Sequence, residues 1–146
     1  MGTTTRLTRG ERNNNPGNIR QNPHIQWKGL VTHIIGVPSE AAFCQFIDST
    51  FGIRAIGVTI HTYVTMDKID STVDAVISRW APTADNNNTS AYIASVSYDC
   101  NVGSTDSLDF TDVDTLKNLV KGIITHENGR CIYADAYILN ALEGIF

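Results

Sequence analysis

Cysteine is scarce in this chain. Three residues, Cys44, Cys100 and Cys131, are spread over 146 positions, too few and too far apart for a disulfide scaffold or a zinc knuckle. Long hydrophobic runs are missing too, and none approaches the roughly 18 residues of a membrane span, so no membrane insertion is expected. The first ten residues hold no hydrophobic h-region, and Arg6 stands where a myristoylation signal needs Ser or Thr; neither a Sec-type signal peptide nor a lipid anchor is expected. There is no internal repeat. A dominating basic character is also lacking: the net charge is −4 and the isoelectric point about 5.4, which argues against a nucleic-acid binder.

What is present is enough for one ordinary domain, taken as residues 1–146. Hydrophobic residues make up 42% of the chain and charged residues 18%, too apolar for disorder. A domain of this length buries roughly 70% of its unfolded surface, so the three cysteines are expected as free thiols of a reducing compartment. The charge is uneven. Residues 1–28 carry Arg6, Arg9, Arg12, Arg20 and Lys28 against Glu11 alone, whereas the rest of the chain carries six bases against fourteen acids. The basic start suits contact with an anionic polymer, cell wall or phosphate, and equally a solvated arm.

Two Asn-rich stretches, NNNPGN at 13–18 and DNNNTS at 85–90, are turn-forming loops. Between them, Asn18–Gln21, Gly29–Ile35 and Ala42–Ile47 read as short strands punctuated by Gly29, Gly36 and Pro38, which predicts a small antiparallel sheet. No helix is expected before Asn13. From residue 49 onward Ile53, Ile56, Ile60, Tyr63 and Val64 recur at helical spacing, with strand as the alternative for so β-branched a run. A second helix starts at Ser71 with Asp74 three residues on and buries Val73, Val76, Ile77 and Trp80. A third starts at Asn88 or Thr89 and buries Tyr92, Ile93 and Val96. The fourth, capped by Thr111, carries Val113, Leu116, Leu119, Val120, Ile123 and Ile124 and ends at Asn128-Gly129. The last shows Ala134, Tyr137, Ile138, Ala141, Leu142 and Ile145. The expected class is α+β, mainly helical.

One carboxylate breaks the pattern. Of the four glutamates, Glu40 falls in a turn and Glu143 off an apolar face, both toward solvent, whereas Glu127 follows Ile123 and Ile124 on the buried stripe at the final turn of its helix. Partial desolvation and the negative end of the helix dipole both disfavour the charged form there, as a proton donor near neutral pH requires. A glutamate that simply turns to solvent past the last core residue is the alternative. Glu11 is the rival acid, but Arg9 and Arg12 beside it favour its ionised form. His126-Glu127 lacks the second histidine of H-E-x-x-H. His24, His33 and His61 show no ligand spacing, so no metal and no cofactor are expected. Trp80 and Tyr92 read first as core residues.

The segment RGERNNNPGNIR (Arg9–Arg20), with FIDSTFGIRA (46–55), RWAPTADNNNTSAYI (79–93) and IITHENG (123–129), resembles a family of phage and prophage virion-associated murein hydrolases. That family is similar to the lytic enzyme of enveloped double-stranded RNA phages. A looser likeness links Asn14-Asn15, Gly17-Asn18-Ile19, 43–46 and 49–53 to N-acetylglucosaminidase autolysins, in which a helix ending in a catalytic Glu precedes such a loop. Here the helix ending in a Glu on an apolar face lies at the other end of the chain.

The resemblance implies a lysozyme-like, lytic-transglycosylase-type fold, circularly permuted so that the acid-bearing helix comes last. It implies a phage-encoded enzyme that cleaves the glycosidic bond between N-acetylmuramic acid and N-acetylglucosamine, with Glu127 as general acid and base and Glu11 as its rival. Asn14, Asn15, Asn18 and Arg20 would bind N-acetyl and hydroxyl groups, with Tyr92 also at the substrate site. If the reaction is hydrolysis, a second carboxylate within about 5–9.5 Å is needed, and Asp48 or Glu11 would supply it. The partners would be peptidoglycan glycan strands, with other virion proteins if the enzyme rides in the particle; otherwise it acts from the host cytoplasm after release to the periplasm. An endopeptidase acting on the peptide stem, or a non-catalytic virion or wall-binding module, are the competing readings.

Overall fold

A computed structural model describes residues 6–31 and 42–146. Among these residues are six α-helices: α1 (Arg9–Arg12), α2 (Ser49–Thr65), α3 (Val73–Trp80), α4 (Thr89–Cys100), α5 (Val113–Asn128) and α6 (Asp135–Ala141), with a 3-10 turn at Thr83–Asp85. Helices α2 and α5 are central. α2 packs on α3, α5 and α6, and α5 also packs on α1, α4 and α6. Ile53, Ile56 and Ile60 of α2 meet Leu116, Leu119, Val120, Ile123 and Ile124 of α5 in one core, closed by Val73, Val76, Ile77, Val96, Ile138 and Leu142. At about 25 cal/mol per Å² of apolar surface removed from water, such branched side chains supply the main driving force for the bundle. None of the helices among the described residues is long and apolar enough to cross a membrane.

The α+β expectation fails. Among the described residues there is no strand, only two isolated antiparallel bridges, Arg20 with Phe43 and Leu30 with Phe46. The described parts of the segments expected as strands lie side by side and exchange single backbone hydrogen bonds. Cys44 N–H donates to Ile19 C=O at 2.9 Å and Gln21 N–H to Ala42 C=O at 2.9 Å, while Val31 N–H donates to Gln45 C=O at 2.8 Å and Ile47 N–H to Gly29 C=O at 2.9 Å. Residues 42–47 thus change partner midway, and among the described residues neither pairing forms a ladder. Asparagine side chains take the remaining acceptors. Asn15 Nδ2 donates to the carbonyls of Ile19 and Cys44, each at 3.0 Å, and Asn14 Nδ2 to that of Phe46 at 3.0 Å. Side-chain amides that occupy these carbonyls compete with a sheet, and the bond from Asn15 to Ile19 does so locally. With the sheet goes the α+β, lysozyme-like, permuted architecture expected of it. Residues 32–35 of the second expected strand, His33, and Glu40 with its turn lie outside the described residues.

Helix α1 is the other departure, since a helix does precede Asn13. Thr8 and Glu11 form a capping box: Thr8 Oγ1 accepts from Glu11 N–H at 3.2 Å and Glu11 Oε1 from Thr8 N–H at 2.9 Å. Two caps sit one residue later than expected. Thr72, not Ser71, accepts from Ala75 N–H, and Asp112, not Thr111, accepts from Asp114 N–H. Val113, at the first position of α5, is consequently 42% exposed and leaves the stripe. Helix α6 stops at Ala141, with Leu142 as its C-cap, so Ile145 packs from beyond the helix. Tyr137 is partly exposed rather than buried in the apolar face. The α5 terminus matches its signal, with Gly129 at φ 74° as C-cap, a left-handed conformation that glycine adopts without a Cβ penalty.

Candidate active site

Glu127 is the penultimate residue of α5 and is half-buried. Its two oxygens have separate donors. Asn18 Nδ2 donates to Oε1 at 3.0 Å, and Tyr92 Oη donates to Oε2 at 2.9 Å. The contact with Asn18 joins residues 109 positions apart, so the fold brings the end of α5 to the Asn-rich loop.

The loop is built to present Asn18. Asn14 and Asn18 adopt left-handed backbone, φ 52° and 50°, which asparagine tolerates better than most residues. Asn15 is fully buried and fixes the turn by bonding Ile19 N–H, at 3.0 Å, as well as the two carbonyls above. At Gly52 a Cβ would overlap the Asn14 carbonyl oxygen, so glycine lets α2 lie against the loop. From the other side Asn128 Nδ2 donates to Pro16 C=O at 2.8 Å while its Oδ1 accepts from Thr8 Oγ1 at 2.5 Å. Asn18 Oδ1 is buried without a hydrogen-bond partner among the described residues. A flipped amide would turn that oxygen toward the carboxylate, so the unpaired acceptor accompanies the orientation that holds Glu127.

Tyr92 lies in the first turns of α4, buried, with its ring stacked on His126 at 3.7 Å between centroids and 25° between planes. Burial, and then the neighbouring Glu127 charge, push its phenol far above the ordinary value. It therefore stays protonated and remains a donor to the carboxylate, or an acceptor once the carboxyl carries a proton. Trp80, at the end of α3, is partly buried against the core and lies beside Gly17 of the loop.

The other expected site residues have different work. Glu11 is buried, and Arg130 grips it twice, Nη2 to Oε1 at 2.6 Å and Nε to Oε2 at 3.0 Å. The Arg130 hydrogen bond holds its carboxyl below the ordinary value, which suits a permanent anion that pins α1 to the chain after α5. Asp48 is exposed and caps α2. It accepts from Thr50 N–H at 2.8 Å, from the Thr50 hydroxyl, and from Tyr137 Oη at 3.3 Å, and the Thr50 contact lowers its pKa. Asn14 and Asn15 spend their amide N–H groups on backbone carbonyls, and Arg20 lies over the Phe43 ring with its guanidinium 4.7 Å from the centroid. Of the eight expected residues, the structure joins Glu127, Asn18 and Tyr92 in one cluster. Asn128, Arg130 and Tyr137 were missed. The run Glu127-Asn128-Gly129-Arg130 was a visible signal, but their partners at Thr8 and Glu11 were not.

An open depression of about 630 Å³, lined by Ser97, Tyr98, Asn101, Val102, Gly103 and Asp106, lies at the opposite end of α4 from Tyr92. Its one carboxylate, Asp106, accepts from Gly103 N–H at 2.7 Å within the same turn. No group of three or more His, Cys, Asp or Glu among the described residues is arranged to hold a metal ion. No family model matches the chain, and no curated protein matches it.

Proposed function

We propose that this chain is a peptidoglycan-degrading glycosidase that cleaves the bond between N-acetylmuramic acid and N-acetylglucosamine, with Glu127 as its one general acid and base. The observation that carries the reading is the half-buried Glu127 held by two donors from distant parts of the chain. General acid–base catalysis needs such a group: fixed in direction, partly shielded from water, and still reachable.

In this mechanism the protonated Glu127 carboxyl gives its proton to the glycosidic oxygen as the bond to the muramyl anomeric carbon breaks. The resulting carboxylate then takes the proton of the muramyl 6-hydroxyl, whose oxygen closes onto that carbon as a 1,6-anhydro ring. The acid is regenerated and no water is consumed. Asn18 and Tyr92 donate to the carboxylate in the second step and keep it aimed as it takes that proton. A transglycosylase of this kind needs only one carboxylate, and that fits the chain better than hydrolysis. Glu11 is committed to Arg130, and Asp48 to Thr50 and Tyr137, so neither is a disposable nucleophile or base.

Mass spectrometry of muropeptides released from purified sacculi tests the proposal. Anhydromuramyl products are expected. New reducing sugars would mean hydrolysis, new amino termini would mean a peptidase, and an unchanged sacculus would mean that the chain does not cleave it.

A further inference from the structure

The excess of positive charge at the start of the chain has no role in the mechanism above. Two of its residues are placed together. The Arg9 guanidinium lies 4.0 Å from the centroid of the Phe43 ring and that of Arg20 lies 4.7 Å from the same centroid. Both arginines are exposed while Phe43 is 7% exposed, so the charged heads cover the ring at the surface. Neither pairs with a carboxylate among the described residues. Arg79 provides the contrast: it also lies over a ring, Tyr63 at 5.5 Å, but it is paired with Asp67 at 3.2 Å.

The backbones beneath the pair are fixed. Arg9 belongs to α1, which Glu11 ties to Arg130, and Arg20 follows the Asn15-braced turn and bridges Phe43. Two guanidiniums preset on one ring lose little freedom on binding an anion, and each presents the planar donor fork that carboxylates take. The remainder of the chain is acidic, which disfavours a dense polyanion and favours spaced single anions. Arg20 is two residues from Asn18, which holds Glu127. A glycan lying at Glu127 carries peptide stems with free carboxylates close by.

We propose that Arg9 and Arg20, set on Phe43, form a clamp for the stem-peptide carboxylates of peptidoglycan. The inference rests on the glycosidase reading for its ligand, but it is tested by binding rather than by cleavage.

The experiment is co-sedimentation of the Glu127→Gln protein with purified sacculi at low salt, so that the wall stays intact. Arg9→Gln with Arg20→Gln should weaken binding at least about tenfold. Arg79→Gln, which removes one such charge from a paired site, should not. Amidating the sacculus carboxylates should weaken binding of the unsubstituted arginine pair to the same degree, an arm that is independent of how the double variant folds. Indifference to amidation would overturn the clamp, as would parent-like binding by a folded double variant. Loss of binding on stripping phosphodiester-linked polymers, without loss on amidation, would overturn the stem assignment. Sacculus solubilisation by the parent chain is read separately. Charge-dependent binding without cleavage would sink the glycosidase and leave the clamp, whereas cleavage with amidation-indifferent binding would sink the clamp alone.

Discussion

Replacing Glu11 by Gln should destabilise the protein without directly touching its chemistry. The Glu11 side chain is 1% exposed and accepts two hydrogen bonds from Arg130, at 2.6 and 3.0 Å, and one from Thr8 N–H at 2.9 Å. The amide keeps the size and the Thr8 contact. It also turns an N–H₂ toward the Arg130 Nε–H, so donor faces donor. Breaking a fully buried pair costs roughly 3–5 kcal/mol, but the Arg130 side chain is 32% exposed and partly resolvates, which brings the expected loss to about 2 kcal/mol. For a chain of this size that is roughly 4–8 °C in melting temperature. The pH dependence fixes the cause. Arg130 lowers the Glu11 pKa from its ordinary 4.5, so the stabilisation is complete above that value and is lost as pH falls through the lower value of the folded state. Urea unfolding of parent and variant, at about pH 7 and again at roughly pH 3, should show the gap narrow in acid. Equal midpoints at neutral pH, or a gap that ignores pH, would refute the assignment.

Tyr92→Phe removes one donor from Glu127 and keeps the ring on His126; muropeptide release should fall by about tenfold, with a melting temperature close to the parent's. Asn18→Ala should act through the same carboxylate, and the double variant should lose less than the two single losses combined, because both act on one group; strictly additive losses would contradict that. Gly52→Ala should destabilise by about 3 kcal/mol in urea, the upper end of overpacking costs, because its Cβ meets the Asn14 carbonyl backbone rather than a movable side chain. Thiol titration of the unfolded, unreduced protein should return three free thiols, Cys44, Cys100 and Cys131; a single thiol would reveal a disulfide.

The long helices were legible because their apolar residues repeat at helical spacing over many turns, as in Leu116, Leu119, Val120, Ile123 and Ile124. Cap positions slipped by one residue, since Ser71-Thr72 and Thr111-Asp112 each offer two capable side chains and only the fold chooses. Helix α1 is too short for any periodicity, although Thr8-x-x-Glu11 is a capping-box signature. The sheet differs from the expectation because isolated bridges and a full ladder leave the same hydrophobic pattern. Two of the asparagine amide bonds that replace the ladder, Asn14 to Phe46 and Asn15 to Cys44, span 32 and 29 positions. Glu127 was legible as the one carboxylate on a buried stripe. The Glu11–Arg130 pair, 119 positions apart, leaves no local trace in the sequence.

The central claim is that Glu127 alone moves the proton, and one rate decides it. Release of anhydromuropeptides from purified sacculi should be compared for the parent chain and for Glu127→Gln, with thermal melts run alongside. A fall of at least about a hundredfold in a variant that still melts cooperatively is the expected result, the scale of a general acid's contribution. Release at the parent's rate by that folded variant would contradict the mechanism.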